Sequence, residues 1–218
     1  MKDIPIFTGE HGVATLILRE IPHQQRAYVM LRTVWRLQPF LSECRAFCRM
    51  AGAESVYVTG QEDLSGLPFV HAMERWSCRR AGLPPQVDPV DLTLLDDSNR
   101  ETFRTLYNQL FAQIPNAATC TPQEVERIQR EERAALAVVE GQIAGLAQWT
   151  DGRLEAIGVD SGFRGLGYRL ALTVLHRMTT ETMELQVSSA NQRALALYQR
   201  LGFTKTETLS RWYDLTEE

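Results

Sequence analysis

The chain has 218 residues, of which 44% are hydrophobic and 23% charged, the proportions of an ordinary globular protein with a sizeable core. These proportions exclude intrinsic disorder, collagen-like repetition and a membrane-spanning protein. The 23 Lys and Arg residues against 27 Asp and Glu residues give a net charge of −4, which argues against binding of nucleic acid or of an anionic membrane surface.

The first residues and the cysteines together predict a cytoplasmic location. The segment Met1-Lys2-Asp3-Ile4-Pro5 lacks the apolar core of a signal segment. The four cysteines, at positions 44, 48, 78 and 120, form neither a CxxC pair nor a regular framework, so we expect reduced thiols. A Cys/His metal site that includes His71 is disfavoured, because Cys44 and Cys48 lie four residues apart on the apolar stripe of a helix. We therefore predict no metal.

The first part of the chain predicts strands and helices in alternation. Residues 13–18 and 28–34 are β-rich runs, and apolar residues between positions 37 and 48 follow helical spacing. Residues 56–58 predict a short strand, and the spacing of Phe69, Met73 and Trp76 favours a second helix. Pro84-Pro85 excludes helix, so we place a boundary near residue 85 and expect two regions, residues 1–84 and 85–218.

Two capped helices are predicted after a strand over residues 90–95. Ser98 and Glu101 are spaced as a capping box, ahead of a continuous apolar face between positions 103 and 111. Thr121 repeats the capping pattern, with Pro122 at the first helical position.

A meander and two further helices complete the predicted order. Residues 135–139, 143–149 and 153–159 predict three antiparallel strands with glycine-containing turns between them. A helix over about 166–178, a strand over 183–187, a helix ended by Gly202 and a last strand over 203–213 follow. The order β-α-α-β-β-β-α-β-α-β predicts an α/β (α+β) fold whose mixed, mostly antiparallel central sheet is flanked by helices. It excludes a doubly wound Rossmann sheet and a helical bundle.

One glycine-bearing loop has the character of an anion site. The run Arg164-Gly165-Leu166-Gly167-Tyr168-Arg169 follows a strand and begins a helix, so its free amides lie at the positive end of the helix dipole. Arg164 adds a charged hydrogen-bond donor. The spacing matches neither GxGxxG nor a P-loop, and the loop by itself fits a plain tight turn equally well.

A second pattern further along the chain makes the loop more specific as a signal. Residues 191–203 read Asn-Gln-Arg-Ala-Leu-Ala-Leu-Tyr-Gln-Arg-Leu-Gly-Phe, which by itself describes a capped amphipathic helix ended by glycine. With the loop, it resembles the GNAT superfamily of acyl-CoA-dependent N-acetyltransferases. The family's phosphate loop, [Q/R]-x-x-G-x-[G/A], is matched at its first five positions, and N-x-x-A-x-x-L-Y-x-x-x-G-F is matched throughout. The resemblance covers about residues 85–218.

The resemblance implies a site for acetyl-CoA. The backbone of Ile157, Gly158 and Val159 would pair with the pantetheine arm, and Gly158 would mark the bulge that separates this strand from residues 185–187. Asn191 would contact the arm, and Tyr198 would stand beside the sulfur. The amides of six consecutive residues would hold the pyrophosphate: Arg164, Gly165, Leu166, Gly167, Tyr168 and Arg169.

The resemblance also implies direct attack of an amine on the thioester, with Tyr198 as general acid. Glu155 is the candidate base, with Glu140 behind it, although a solvated strand carboxylate is the commoner role for such a residue. His176 fits a surface or packing histidine better than a catalytic one. Arg169 departs from the family's small residue; we expect it to be tolerated, with its side chain turned away or paired with a phosphate.

We therefore expect an acetyl-CoA-dependent N-acetyltransferase acting on a primary amine of a small molecule, peptide or protein. The alternative is a non-catalytic acyl-CoA-binding sensor with the same fold. Residues 1–84 resemble the middle of a GNAT domain without its glycine loop, so they are either a degenerate GNAT half or an unrelated α/β cap. The sequence leaves the acceptor and the oligomeric state open, a homodimer included.

Overall fold

The computed structural model describes residues 6–86, 88–131 and 133–217. Met1–Pro5, on which the expected absence of a signal segment rests, lie outside this part of the chain. No helix among the described residues is both long and apolar enough to cross a membrane. The elements are β1 Ile6–Thr8, β2 Gly12–Ile17, α1 Ile21–Gln24, β3 Arg26–Val34, α2 Leu37–Met50, β4 Ser55–Thr59, β5 Phe69–Arg79, β6 Asp91–Leu94, α3 Arg100–Phe111, α4 Pro122–Glu131, β7 Arg133–Val139, β8 Gln142–Trp149, β9 Arg153–Val159, α5 Leu166–Arg177, β10 Thr182–Ser188, α6 Gln192–Arg200 and β11 Thr204–Asp214.

The chain divides into two compact units. The first holds the described residues up to Met73 together with those from Thr208 onward, and the second is Glu74–Glu207. We expected a division near residue 85. The structure instead groups residues 74–84 with the second unit and the C-terminal residues with the first. Strands β5 and β11 therefore each contribute residues to both units.

The first unit is a small sheet covered by α2. Strands β1, β2 and β3 pair antiparallel in sequence, and β3 then pairs parallel with β4 through the α2 crossover. The end of β11 completes this sheet by pairing antiparallel with β4, at Tyr213 and Asp214. The α2 residues Phe40, Leu41 and Cys44 are buried against the sheet in one apolar cluster, as their helical spacing predicted.

The second unit contains the predicted antiparallel meander. Strands β6, β7, β8 and β9 pair antiparallel in sequence, and β9 pairs parallel with β10 through the α5 crossover. The strand order β5-β10-β9-β8-β7-β6 gives a mixed, mostly antiparallel sheet, so the predicted fold class is confirmed. Neighbouring strand residues belong to different apolar clusters, Leu136 with α3 and α4 and Ala135 with α5 and α6. The two helix pairs thus cover opposite faces of the sheet.

The predicted helix over Phe69, Met73 and Trp76 is wrong, because these residues lie in strand β5. Within β5, Glu74, Trp76 and Cys78 are buried in alternation, which is the period of a strand. The Glu74 carboxylate accepts hydrogen bonds from Trp76 Nε1 at 2.9 Å and from Lys205 Nζ at 2.7 Å. Sequence patterns did not reveal this strand, because a buried carboxylate is not expected there. Its partner Lys205 lies 131 residues further along the chain.

The two predicted helix caps have different outcomes. The Thr121 hydroxyl accepts from the Glu124 amide at 3.2 Å, with Pro122 beginning α4, so this cap is confirmed. The capping box at Ser98 is wrong, because α3 begins at Arg100 and Ser98 donates instead to the Asp96 carboxylate.

The C-terminal residues are predicted to stabilise the first unit. Leu215 is 2% exposed within its apolar cluster, so Leu215→Ala should lower the free energy of unfolding by about 2–5 kcal/mol in urea denaturation. Leu94→Ala is the matched control, because Leu94 is 58% exposed and the same change there should alter stability by less than about 0.5 kcal/mol. Equal effects of the two changes would contradict the assignment of the C-terminal residues to this core.

Candidate active site

Strands β9 and β10 separate after a short stretch of pairing. They pair at two positions, Arg153 with Glu184 and Leu154 with Leu185, although each strand has seven residues. Beyond these pairs the two strands leave a gap in the ladder. The gap begins where β9 carries an extra residue: Gln148 of β8 pairs with Ala156, whereas Trp149 pairs with Leu154. The bulge therefore lies at Glu155, which corrects our expectation that Gly158 would mark it.

The far end of β9 presents unpaired backbone to this gap. The Asp160 amide donates to the Ala144 carbonyl of β8 at 2.9 Å. Hydrogen-bonded pairs alternate along an antiparallel ladder, so Gly158, opposite Leu146, also bonds to β8. The backbone groups of Ile157 and Val159 then point away from β8, into the gap. An extended amide-bearing chain could pair with them there as a strand would.

The loop after β9 is stabilised by hydrogen bonds between its own residues. The Asp160 carboxylate accepts from the Gly162 amide at 2.9 Å, and the Asp160 carbonyl accepts from the Phe163 amide at 3.0 Å. Helix α5 then begins at Leu166 with no side-chain cap. Four amides of the loop and first turn have no acceptor among the described residues, those of Arg164, Gly165, Gly167 and Tyr168. Such a cluster at a helix N-terminus favours a bound anion.

The two loop glycines differ in what the fold requires of them. Gly165 has φ +83°, a left-handed conformation that side chains rarely adopt. Gly167 has ordinary helical backbone, and a Cβ there would approach only Val159 Cγ2, at 4.0 Å. The fold alone therefore requires glycine at position 165 but not at 167. Glycine at 167 keeps the backbone accessible, as the close approach of a ligand would need.

Arg169 turns away from the loop. Its Nε donates to the Asp88 carbonyl at 3.0 Å, and its other guanidinium nitrogen lies 2.7 Å from the Asp88 carboxylate. Arg169 thus leaves the loop free of its side chain.

Positive charge is nevertheless present beside the loop. Arg164 is exposed, and the Arg200 guanidinium lies over the Tyr168 ring, 4.7 Å from its centroid. Because Arg200 belongs to α6 and Tyr168 to the first turn of α5, this contact joins the two helices next to the free amides.

Asn191 and Tyr198 place α6 against the same site. The Asn191 side-chain oxygen accepts from the Ala194 amide at 3.1 Å and caps α6, so its side-chain NH₂ remains available as a donor. Tyr198 is 8% exposed and lies in one apolar cluster with Ile157, Val159 and Tyr168. Burial raises the pKa of the Tyr198 phenol well above its ordinary value, so the phenol is fully protonated at neutral pH.

The candidate bases lie in different surroundings. Glu155, the bulge residue, accepts a hydrogen bond from Arg153 Nε at 2.5 Å and is therefore paired with a positive charge. Glu140 is exposed at the turn before β8. His176 Nε2 lies 3.0 Å from the Pro84 carbonyl, a packing contact of the kind that the sequence favoured.

The family comparison matches this part of the structure. Residues 94–203, just over half of the 218 residues, match the acetyltransferase (GNAT) family. The chain belongs to the GNAT acetyltransferase family. The match spans β9, the glycine loop, Asn191 and α6, and every predicted site residue lies within it. No curated protein matches the chain.

Solved structures of GNAT proteins share the fold of the chain. It is similar to a GCN5-related N-acetyltransferase from Sphaerobacter thermophilus, with 14% identity and a TM-score of 0.59 over 93% of this chain and 76% of that one. A tandem GNAT protein from the clavulanic acid biosynthesis pathway has 16% identity and a TM-score of 0.53 over 95% and 80%. A functionally unknown conserved protein from Staphylococcus epidermidis has 14% identity and a TM-score of 0.62 over 97% and 93%.

The cysteines are distributed through the cores of the units. Burial raises the pKa of the Cys44 thiol to about 12 and those of Cys48 and Cys120 to about 11. Cys44 and Cys48 lie in the cluster beneath α2, whereas Cys78 and Cys120 lie in two other clusters. Their burial and separation are typical of packing residues.

Three residues of the first unit form the one cluster, among the described residues, whose ligand atoms are close enough for a cation. Glu10, His11 and Glu43 have ligand atoms within 4.8 Å of one another. His11 Nδ1 is hydrogen-bonded to Glu43, and Glu10 is exposed. The cluster therefore has a structural explanation as a hydrogen-bonded pair beside a surface carboxylate.

Sequence reasoning missed two contributors to the site. Asp88, the partner of Arg169, lies 81 residues before it in an irregular connector, where no pattern marks it. Arg200 occupies an unspecified position of the second signature, two residues after Tyr198. Its side of α6 could have been inferred from helical spacing, but its contact with Tyr168 depends on the packing of α6 beside α5.

The two loop glycines should respond to alanine in opposite ways. Gly165→Ala should lower the free energy of unfolding of the unliganded protein by about 1–2 kcal/mol, because alanine resists the left-handed backbone. Gly167→Ala should leave stability unchanged or raise it by about 0.4–1 kcal/mol, since its backbone and surroundings accept a methyl group. Chemical denaturation measures both. A loss at position 167 as large as that at 165 would show that the fold itself requires Gly167.

Proposed function

We propose that the chain is an acetyl-CoA-dependent N-acetyltransferase that acts on a primary amine of a small molecule, peptide or protein. One observation carries the proposal: the unpaired backbone of Ile157 and Val159 leads directly into a helix N-terminus with unused amides. Acyl-CoA is an extended amide-bearing arm joined to a pyrophosphate, so its two parts need these two features in this order. Membership of the GNAT family supports the same donor class.

The donor is held mainly by backbone. The pantetheine amides would pair with Ile157 and Val159, and the pyrophosphate would accept from the amides of Arg164, Gly165, Gly167 and Tyr168, with Leu166 at the helix start. Gly158 directs its own backbone to β8 and keeps the strand in place. Asn191 would donate its side-chain NH₂ to the arm. The Arg164 side chain would add charge at the phosphates.

Transfer then requires positioning more than strong acids and bases. A neutral amine attacks the thioester carbon, a C–N bond forms, and the carbonyl oxygen gains negative charge that a β9 amide not used by the pantetheine arm can stabilise. As the C–S bond breaks, the sulfur gains a proton and the new amide nitrogen loses one. Tyr198, which lies with Val159 in one cluster, is our general acid at the sulfur.

The environment of Tyr198 defines how it acts. Burial raises the phenol pKa, whereas an ordinary thiol has a pKa of about 8.5. The phenol is thus a weaker acid than the departing thiol. It therefore gives its proton to the sulfur only as the C–S bond breaks, and it is reprotonated by the proton that the new amide nitrogen loses.

Glu155 is our candidate for deprotonating an amine that arrives as an ammonium ion. Its carboxylate can act as a base only if it shares or gives up the hydrogen bond from Arg153.

The pairing of Glu155 with Arg153 also favours the second candidate function, an acyl-CoA sensor without turnover. CoA release with a panel of amines separates the two functions: tight acetyl-CoA binding without release on any amine would support the sensor.

We also propose that the N-terminal region is a degenerate GNAT half without a donor site. Apart from the four-residue helix α1 between β2 and β3, it repeats the β-β-α-β order of β8, β9, α5 and β10 in β2, β3, α2 and β4. However, β3 and β4 pair at five positions, so no gap opens. The amides of Trp35 and Arg36 both donate to the His11 carbonyl, and Pro39 has no amide hydrogen, so few donors remain at the start of α2.

The cysteines support a reducing compartment such as the cytoplasm. All four are free and buried, Cys44 and Cys48 in one cluster and the other two in two further clusters, without the pairing that an oxidising compartment favours.

Tyr198→Phe should reduce kcat for CoA release by at least about a hundredfold, because it removes the donor to the departing sulfur. The dissociation constant of acetyl-CoA, measured by calorimetry, should change by less than about threefold, since the ring remains. Tyr57→Phe in the first unit is the matched control and should retain full activity. An unchanged kcat in Tyr198→Phe would remove Tyr198 from the acid role.

A further inference from the structure

The two faces of the gap offer different surfaces. Ile157 and Val159 pack in the cluster of α5 and α6, the helices that carry the phosphate loop, Asn191 and Tyr198. Residues alternate along a strand, so Gly158 faces the opposite side of the sheet. That side is covered by α3, whose residues Leu110 and Phe111 lie nearest to Gly158. A donor that occupies the α5 face leaves the α3 face for the attacking amine.

The α3 face is apolar where it meets β9. A Cβ on Gly158 would lie 2.8 Å from Leu110 Cδ1 and 3.5 Å from Phe111 Cε2, so both side chains rest directly on the strand. The Phe111 ring continues to Tyr107, with centroids 4.6 Å apart. Leu110, Phe111 and Tyr107 are each only partly buried, so part of this apolar group remains accessible.

The charged side chains on the α3 face are either paired with an opposite charge or distant from Gly158. On β9, Arg153 and Glu155 are paired with each other, and the next residue, Ala156, is apolar. On β10, Leu185 packs on the α5 side, so alternation directs Glu184 and Gln186 to the α3 side. Glu184 lies 4.0 Å from Arg75 Nε. The surface nearest the acyl strand is therefore apolar, with polar groups along β10.

We propose that Leu110 and Phe111, on the α3 side of β9, form an apolar wall that selects acceptor amines attached to an apolar or aromatic group. This inference rests on the proposed function and gives it a substrate class. The nitrogen must be neutral when it attacks, and an apolar wall favours the neutral amine over its ammonium form. The polar residues of β10 remain for the hydrophilic end of a larger acceptor.

Equilibrium binding to the CoA complex tests the wall without turnover. With the full-length protein saturated with CoA, calorimetry should show 2-phenylethylamine binding at least about tenfold more tightly than ethanolamine. Phe111→Ala should remove most of this preference, and Phe111→Leu should restore it to within about threefold. Thr105→Ala, an exposed change on the same helix, should leave it unchanged. The CoA dissociation constant should be equal in all four proteins.

The outcomes separate this inference from the proposed function. Equal affinity for the two amines, or a preference that Phe111→Ala leaves intact, would overturn the apolar wall while CoA binding and acetyl transfer still supported the function. A preference lost in both Phe111→Ala and Phe111→Leu, with CoA affinity lowered as well, would indicate damage to the fold and overturn a selective role. Absence of CoA binding in the unmodified protein would contradict the proposed function and this inference with it.

Discussion

The separation of β9 from β10 is the constraint on which the candidate site depends. A parallel ladder normally uses both strands' backbone groups, but here it ends after two pairs, where Glu155 bulges from β9. Unpaired strand backbone is costly unless water or a ligand satisfies it. Part of β9 therefore has the unpaired backbone of an edge strand, although β9 lies within the sheet. This backbone lies beside a helix N-terminus whose amides are also without acceptors. Both features favour a ligand that bonds as a strand and ends in an anion.

Apart from the short helix α1, the first unit shows a similar order of elements without these features. Its β3 and β4 pair along the whole of β4, and the amides before α2 are consumed by the His11 carbonyl. The difference lies in backbone hydrogen bonds rather than in catalytic side chains. The first unit thus lacks the strand gap on which the proposed donor site depends. The residues from Thr208 onward belong to this unit.

Sequence patterns predicted the second unit well, because its signals are local. Turn glycines, the Thr121 cap and strand alternation each act over a few residues, and they gave the order of elements from β6 to β11. The strand β5 was mispredicted because buried Glu74 is paired with Lys205, 131 residues further along the chain. The Asp88 partner of Arg169 was missed for the same reason, although the side chain does turn away from the loop as expected. The bulge at Glu155 depends on register against β8, which a single strand cannot reveal. The motif located the loop, but the unused amides became visible only in the structure.

Hydrogen exchange with and without acetyl-CoA tests the central claim most directly, since the claim concerns backbone amides. Acetyl-CoA should slow exchange of the amides of Ile157, Val159, Gly165, Gly167 and Tyr168 by at least about tenfold and leave residues 29–40 of the first unit unchanged. Protection of residues 29–40, or unchanged exchange at the β9 edge and the loop under saturating acetyl-CoA, would contradict the account.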